Sequence, residues 1–292
     1  MVVANHTRLD EIIELSRAML AGSFSEEEKK LLEVVHRNAV ELKNHNLEGM
    51  NMIGLSAKSH DLRQPLTAVV GYGALLNSPK LANHDGLSDE QLKRIYRLHD
   101  LCRHFHWHMD NMVLFSNYIV RPKAKRAQDA GMLDIRAYLL AQADNYVCRE
   151  VTSEIVVPEK IPFVYANDAS TKLMIRGLFA AAMAISDKPD LRLSAYTVMK
   201  VVRARLCVMG QAQRHDELMK MLKVKKITEK PDAATTHAVI ATIGNVHLSS
   251  MLEIGLYVAT NIAAEQGGRI KLETDEDNLV FTLTMPTLAP AG

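Results

Sequence analysis

The residue whose type and surroundings best fit chemistry is His60, in the run Ser59-His60-Asp61-Leu62-Arg63-Gln64-Pro65-Leu66-Thr67. A neutral imidazole nitrogen is a competent nucleophile for phosphorus near neutral pH. Asp61 places a carboxylate directly beside it, and Gln64 stands four residues on, on the same face of a helix. Pro65 removes a backbone N–H from that helix and loosens it locally, and a bend there would help the imidazole meet more than one partner. Leu55, Leu62 and Val69 recur every seven residues and exclude His60 from their seam, so its ring faces solvent.

Other groups invite chemistry less strongly. His104, His106 and His108 follow one another in His104-Phe105-His106-Trp107-His108, and His104 and His108 share a helix face. A metal there would need a third ligand, such as Asp100 or a residue from a dimer mate, so the plainer reading is a solvated helix face. Cys102, Cys148 and Cys207 are far apart and odd in number. They fit reduced thiols in a cytoplasmic protein and not a disulfide framework. Lys220, Lys223, Lys225 and Lys226 read as a solvated segment.

Composition narrows the classes. The 292 residues suggest about two domains. Hydrophobic content of 48% with only 5% aromatics implies an aliphatic, methionine-rich core, which favours helices over a β-sandwich. A net charge of +1 gives no electrostatic reason to propose nucleic acid as a partner. No apolar run approaches ~18 residues, so no membrane span is expected.

The elements that would position His60 follow from periodicity. Residues 1–46 read as a polar helical extension, with a capping box at Ser25-Glu26-Glu27-Glu28. Residues 47–122 read as two long amphipathic helices. Leu55, Leu62, Val69 and Leu76 line the first; a second capping box at Ser88 to Gln91 opens the other, with Ile95, Leu98, Cys102, Phe105, Met109, Met112, Ser116 and Ile119 facing inward. Pro79, Asn83, Asp85 and Gly86 mark the turn between them. Such a hairpin alone leaves half its apolar surface bare, and pairing two copies into a four-helix bundle would cover it, so a homodimer is expected. A linker follows over 120–131. Residues 130–288 then mix helices with alternating strands, as in an α+β sandwich.

The stretch from Ser59 to Val69 resembles the phosphoacceptor box of sensor histidine kinases, and the order of hairpin, linker and α+β domain resembles that family over most of the chain. The resemblance implies that His60 is the phosphoacceptor. It implies that Asp61 accepts the ring proton or holds the tautomer, and that Gln64 holds the place of a Thr or Asn that positions water for dephosphorylating a receiver. It also implies a histidine-kinase-type ATPase (GHKL, Bergerat) fold for the second domain. There Ala166-Asn167-Asp168 resembles the entry to the first nucleotide-contacting helix, and Glu265 to Ile270 with Phe281 to Pro286 resembles the closing hairpin.

The chemical positions of that ATP domain depart from the pattern. Ala181 stands where the family has a Mg²⁺-binding asparagine, and alanine offers a hard cation no lone pair. The adenine-reading aspartate is missing around Met209 and Gly210. Glu253 falls where a phosphate-cradling glycine would lie, with Gly255 keeping one glycine position. Losing one adenine hydrogen bond costs about 1–3 kcal/mol. Losing the metal removes the neutralisation of charge during phosphoryl transfer as well. The expectation is a cytoplasmic, dimeric phosphotransfer protein that exchanges phosphate between His60 and a response-regulator receiver aspartate. It would hold no ATP or Mg²⁺ productively, and a cognate active kinase is a further candidate partner. Two alternatives stand beside it: an active ATP-dependent kinase that phosphorylates His60 itself, and a non-catalytic adaptor of another kinase.

Overall fold

A computed structural model describes residues 3–45, 52–78, 86–120, 130–146, 153–185, 190–216, 218–219 and 251–287. Pro79, Asn83 and Asp85 of the expected turn, Cys148, and the lysines from 220 to 226 lie outside them. The chain divides into two compact units at Val120/Arg121.

Among its described residues the first unit is built of helices: α1 (Val3–Leu20), α2 (Glu26–Asn44), α3 (Met52–Ala57), α4 (Ser59–Leu76) and α5 (Asp89–Val120). The capping box that opens α2 is formed: Ser25 Oγ accepts from the Glu28 N–H at 3.2 Å, and the Ser25 N–H donates to Glu28 Oε2 at 2.9 Å. Ser88 and Gln91 make the equivalent pair before α5, at 3.3 and 2.8 Å. Lys58 breaks the helix between α3 and α4, although its N–H still reaches Gly54 O and its own carbonyl accepts from Leu62.

The heptad seam is fully buried. Leu55, Leu62 and Val69 are 0% exposed, as are Cys102 and Phe115 on α5. Gly73 lets α4 approach α5, because a Cβ there would sit 3.3 Å from Cys102 Cβ. The cover for the rest of the seam comes from the same chain. α2 packs on α4, and α1 packs on both α2 and α5, so the four long helices close a ring. Each neighbour runs antiparallel to the next. Asp10 meets Lys43 while Ser16 meets His36; Glu11 meets Arg97 while the Ser23 carbonyl meets Gln91; Ser56 meets Asn117 while Gly73 meets Cys102. The result is an up-down-up-down four-helix bundle built by one chain. The bare apolar half that called for a second copy is covered by α1 and α2.

The second unit is an α+β layer structure. Strand β1 (Ala130–Leu133) pairs antiparallel with β3 (Val164–Asn167). A five-stranded sheet has the order β2 (Ser153–Val156), β4 (Leu191–Val198), β5 (Val201–Val208), β7 (Asn278–Pro286), β6 (Arg269–Asp275), antiparallel except for β2 with β4. Leu193, Ala204, Leu206, Phe281 and Leu283 alternate inward along it. Among the described residues three α-helices accompany the sheets: α6 (Ile135–Tyr146), α7 (Asp168–Met183) and α8 (Met251–Glu265). The linker reading of 120–131 gives way at its end to β1.

Candidate functional site

His60 sits in the first turn of α4, and its side chain is 95% exposed. Its neighbours on the seam side, Leu62, Pro65 and Leu66, are buried, which fixes the helix face that carries it. Asp61, Arg63, Gln64 and Thr67 are exposed, so Gln64 shares the open surface with His60. Asp61 Oδ1 lies 3.8 Å from His60 Nδ1. That is beyond hydrogen-bond range, and it places the carboxylate on the Nδ1 side of the ring. Ser59 Oγ donates to Ser56 O at 2.8 Å, which ties the break at Lys58 together just before His60. Pro65 is buried in the helix interior, and its missing N–H leaves the Asp61 carbonyl without its helical partner. The proline therefore loosens the backbone one turn after the nucleophile.

The histidines of α5 do not form a solvated face, contrary to the reading above. His104, His106, Trp107 and His108 are half-buried. The Nδ1 of His108 is shut from water without a hydrogen-bond partner. Burial, then the nearby positive charges of Arg8 and His104, push the His108 pKa down to about 3. The ring packs edge-on against Trp107 at 5.0 Å between centroids. Among the described residues no group of three or more His, Cys, Asp or Glu side chains comes together to hold a metal ion.

In the second unit the residues expected around a nucleotide go elsewhere. Asn167 caps α7, its side chain accepting from the Ser170 N–H at 2.9 Å. Asp168 is engaged by the Tyr138 hydroxyl and by Lys172 Nζ at 2.9 Å. The hydrogen bond from Tyr138 and then that from Lys172 hold its carboxyl below the usual range. Ala181 is 0% exposed, as are Ala180 and Ala182. α7 and α8 cross almost backbone to backbone there. A Cβ on Gly255 would lie 2.6 Å from the Gly177 carbonyl and 3.2 Å from the Ala181 nitrogen. A Cβ on Gly177 would meet the Gly255 carbonyl at 2.7 Å. The missing side chain of Gly255 therefore serves a helix crossing. Glu253 stands in the first turn of α8, where a carboxylate complements the positive helix end that an anionic ligand would otherwise use.

The segment after β5 is held by the hairpin between β6 and β7. Gly210 adopts a positive φ of 65°, which suits glycine, and its N–H donates to Asn278 Oδ1 at 3.1 Å. The Ala212 N–H donates to Asp277 O at 3.0 Å, and Arg214 Nη1 to Ile185 O at 2.9 Å. Gly177 and the closeness of the α7–α8 crossing escaped the sequence reading; its signal was a glycine on each of two apolar helices.

No family model and no curated protein matches this sequence. Solved structures of histidine kinases are similar to it. Full-length ShkA in complex with AMPPNP has 14% identity and a TM-score of 0.46; the overlap covers 83% of this chain and 47% of that one. The Acinetobacter baumannii histidine kinase AdeS has 17% identity and a TM-score of 0.35, over 79% of this chain and 98% of that one. A histidine kinase from Burkholderia phymatum has 13% identity and a TM-score of 0.38, over 89% and 99%. At these values the activity of those proteins does not transfer, and function has to come from the residues. No described helix is long and apolar enough to cross a membrane.

Proposed function

We propose that this chain is a two-component signalling protein whose His60 takes a phosphoryl group from a receiver-domain aspartyl phosphate and returns it, while the α+β unit no longer performs ATP chemistry. One contrast carries the reading: His60 is 95% exposed on a fixed helix face, whereas Ala181 is 0% exposed at a helix crossing.

The geometry gives each residue a role. With the Nδ1 proton held toward Asp61, Nε2 attacks phosphorus. The N–P bond forms as the P–O bond to the aspartate breaks, and the carboxylate leaves with its electron pair. The ring becomes cationic, and Asp61 stabilises it or takes the Nδ1 proton. The reverse step regenerates neutral His60. Gln64, one turn along the same surface, offers an amide that can hold a water near the receiver phosphate. Pro65 supplies the local give that lets the first turn of α4 adjust to a docked partner.

The loss of ATP chemistry rests on three features of the second unit. Ala181 offers no ligand and no space. Glu253 puts a negative charge where triphosphate would need a positive end. Gly210 has its N–H bonded to Asn278. The test treats the purified chain with phosphoramidate, a small-molecule phosphoryl donor that bypasses any protein partner. Phosphate is expected on His60 by mass spectrometry and absent from His60→Gln. Transfer from the charged chain to a panel of receiver domains then follows. A chain that takes no phosphate, or that passes none to any receiver, contradicts the proposal and leaves the adaptor reading.

A further inference from the structure

The first hairpin does a job that the second hairpin was expected to need from another molecule. We propose that α1 and α2 stand in for a second copy of α4 and α5, so that each chain closes its own bundle, remains a monomer in solution, and presents one His60 per bundle. This does not rest on the phosphotransfer reading.

Three observations carry it. The first is coverage. On α2, Leu32, Val35, Ala39 and Leu42 are 0% exposed, and on α1, Ile12 and Met19 are 0% exposed. These faces meet α4 and α5, whose own seam is buried to the same degree. A four-helix ring has no vacant position for a further helix pair. The second is register. Glu11 Oε2 lies 3.5 Å from Arg97 Nη2, and Gln91 Nε2 donates to Ser23 O at 2.7 Å. Such exposed pairs add little stability but fix how the first hairpin sits on the second. The third is the outer surface. Among the described residues of this unit, the large apolar side chains standing exposed are Ile53 at 50% and Tyr72 at 36%. A stable dimer interface needs about 800 Å² per partner with an apolar centre, which two scattered side chains do not provide.

The consequence is functional. In a bundle made of two hairpins, two equivalent histidines would face opposite ways. Here the opposite side of the bundle belongs to α1 and α2, where His36 is half-buried with its Nδ1 3.0 Å from Ser16 Oγ. Each bundle therefore carries a single His60.

The test is the molar mass of the full chain by light scattering over a wide concentration range, together with amide hydrogen exchange. The expected mass is 32.6 kDa throughout. Exchange over Glu26–Asn44 is expected to be as slow as over Ser59–Leu76, because both are core helices of one unit. A doubled mass, or a mass that climbs with concentration, overturns the proposal. So does fast exchange across α2, which would show the first hairpin detached from the second.

Discussion

The helical bundle and the α+β unit treat their chemistry-bearing positions in opposite ways. In the bundle, apolar residues are drawn inward on four sides, and His60 is left outside with 95% of its side chain in water. In the α+β unit, Ala180, Ala181 and Ala182 are sealed inside, and α7 touches α8 at Gly177 and Gly255. A side chain this exposed contributes little to stability. A ligand cavity is costly to keep open, and small residues that let two helices close on each other stabilise the fold by packing.

The comparison breaks most easily at its exposed end. His60→Gln should abolish phosphate uptake completely while leaving the urea midpoint unchanged, since a residue this exposed contributes within about 0.5 kcal/mol. Loss of both uptake and fold would mean that His60 is structural.

Next in size is the interior of the bundle. Val35→Asp puts a charge at a position that is 0% exposed on α2, and it should destabilise the unit by roughly 3 kcal/mol or more. It should also uncover the α4 seam, so the variant is expected to self-associate in light scattering where the wild type does not. An inert Val35→Asp would show that α2 does not cover the seam.

A smaller effect sharpens the sealed end. Ala181→Asn places a metal-binding side chain at a position that is 0% exposed. Its stability should fall by about 1–3 kcal/mol through overpacking and an unpaired buried amide. Isothermal titration with Mg²⁺-ATP should stay flat. Binding gained without loss of stability would mean that a nucleotide site persists.

The smallest effect is a pH dependence inside the bundle. His108 is held neutral in the folded chain, with its pKa lowered to about 3 by burial first and by Arg8 and His104 next. The unfolded chain binds a proton below the ordinary histidine value of 6.5, and the folded chain does not until about 3. Stability is therefore complete above 6.5 and declines as pH falls toward 3, by up to about 1.4 kcal/mol per pH unit from this one ring. His108→Leu should flatten that slope in urea titrations at pH 7 and 5. An unchanged slope would place the ring in water.

The α4 and α5 helices were legible because their seam repeats strictly and both carry clean start signals. The partner of that seam was not. The polar residues Ser16, Glu28 and Asn38 are buried on α1 and α2, and they interrupt the apolar stripe that would have marked those helices as core. Strand β1 escaped because Ala130 and Gly131 have little preference for strands, and pairing with β3 decides the matter. At the site, His60 could be read from its neighbours in the chain, since its exposure follows from the period of the helix. The chemical poverty of Ala181 could also be read. Its burial against Gly255 could not, because the α7–α8 crossing joins residues more than seventy positions apart.

On the proposed mechanism His60 is charged by another protein and not by its own α+β unit. The most direct measurement incubates the purified chain alone with γ-labelled ATP and Mg²⁺ and follows acid-labile label on the protein. No label on His60 is predicted, with label appearing only when a phosphorylated receiver or an active kinase is added. Label on His60 from ATP alone, lost in His60→Gln, would contradict the account and make this chain a kinase in its own right.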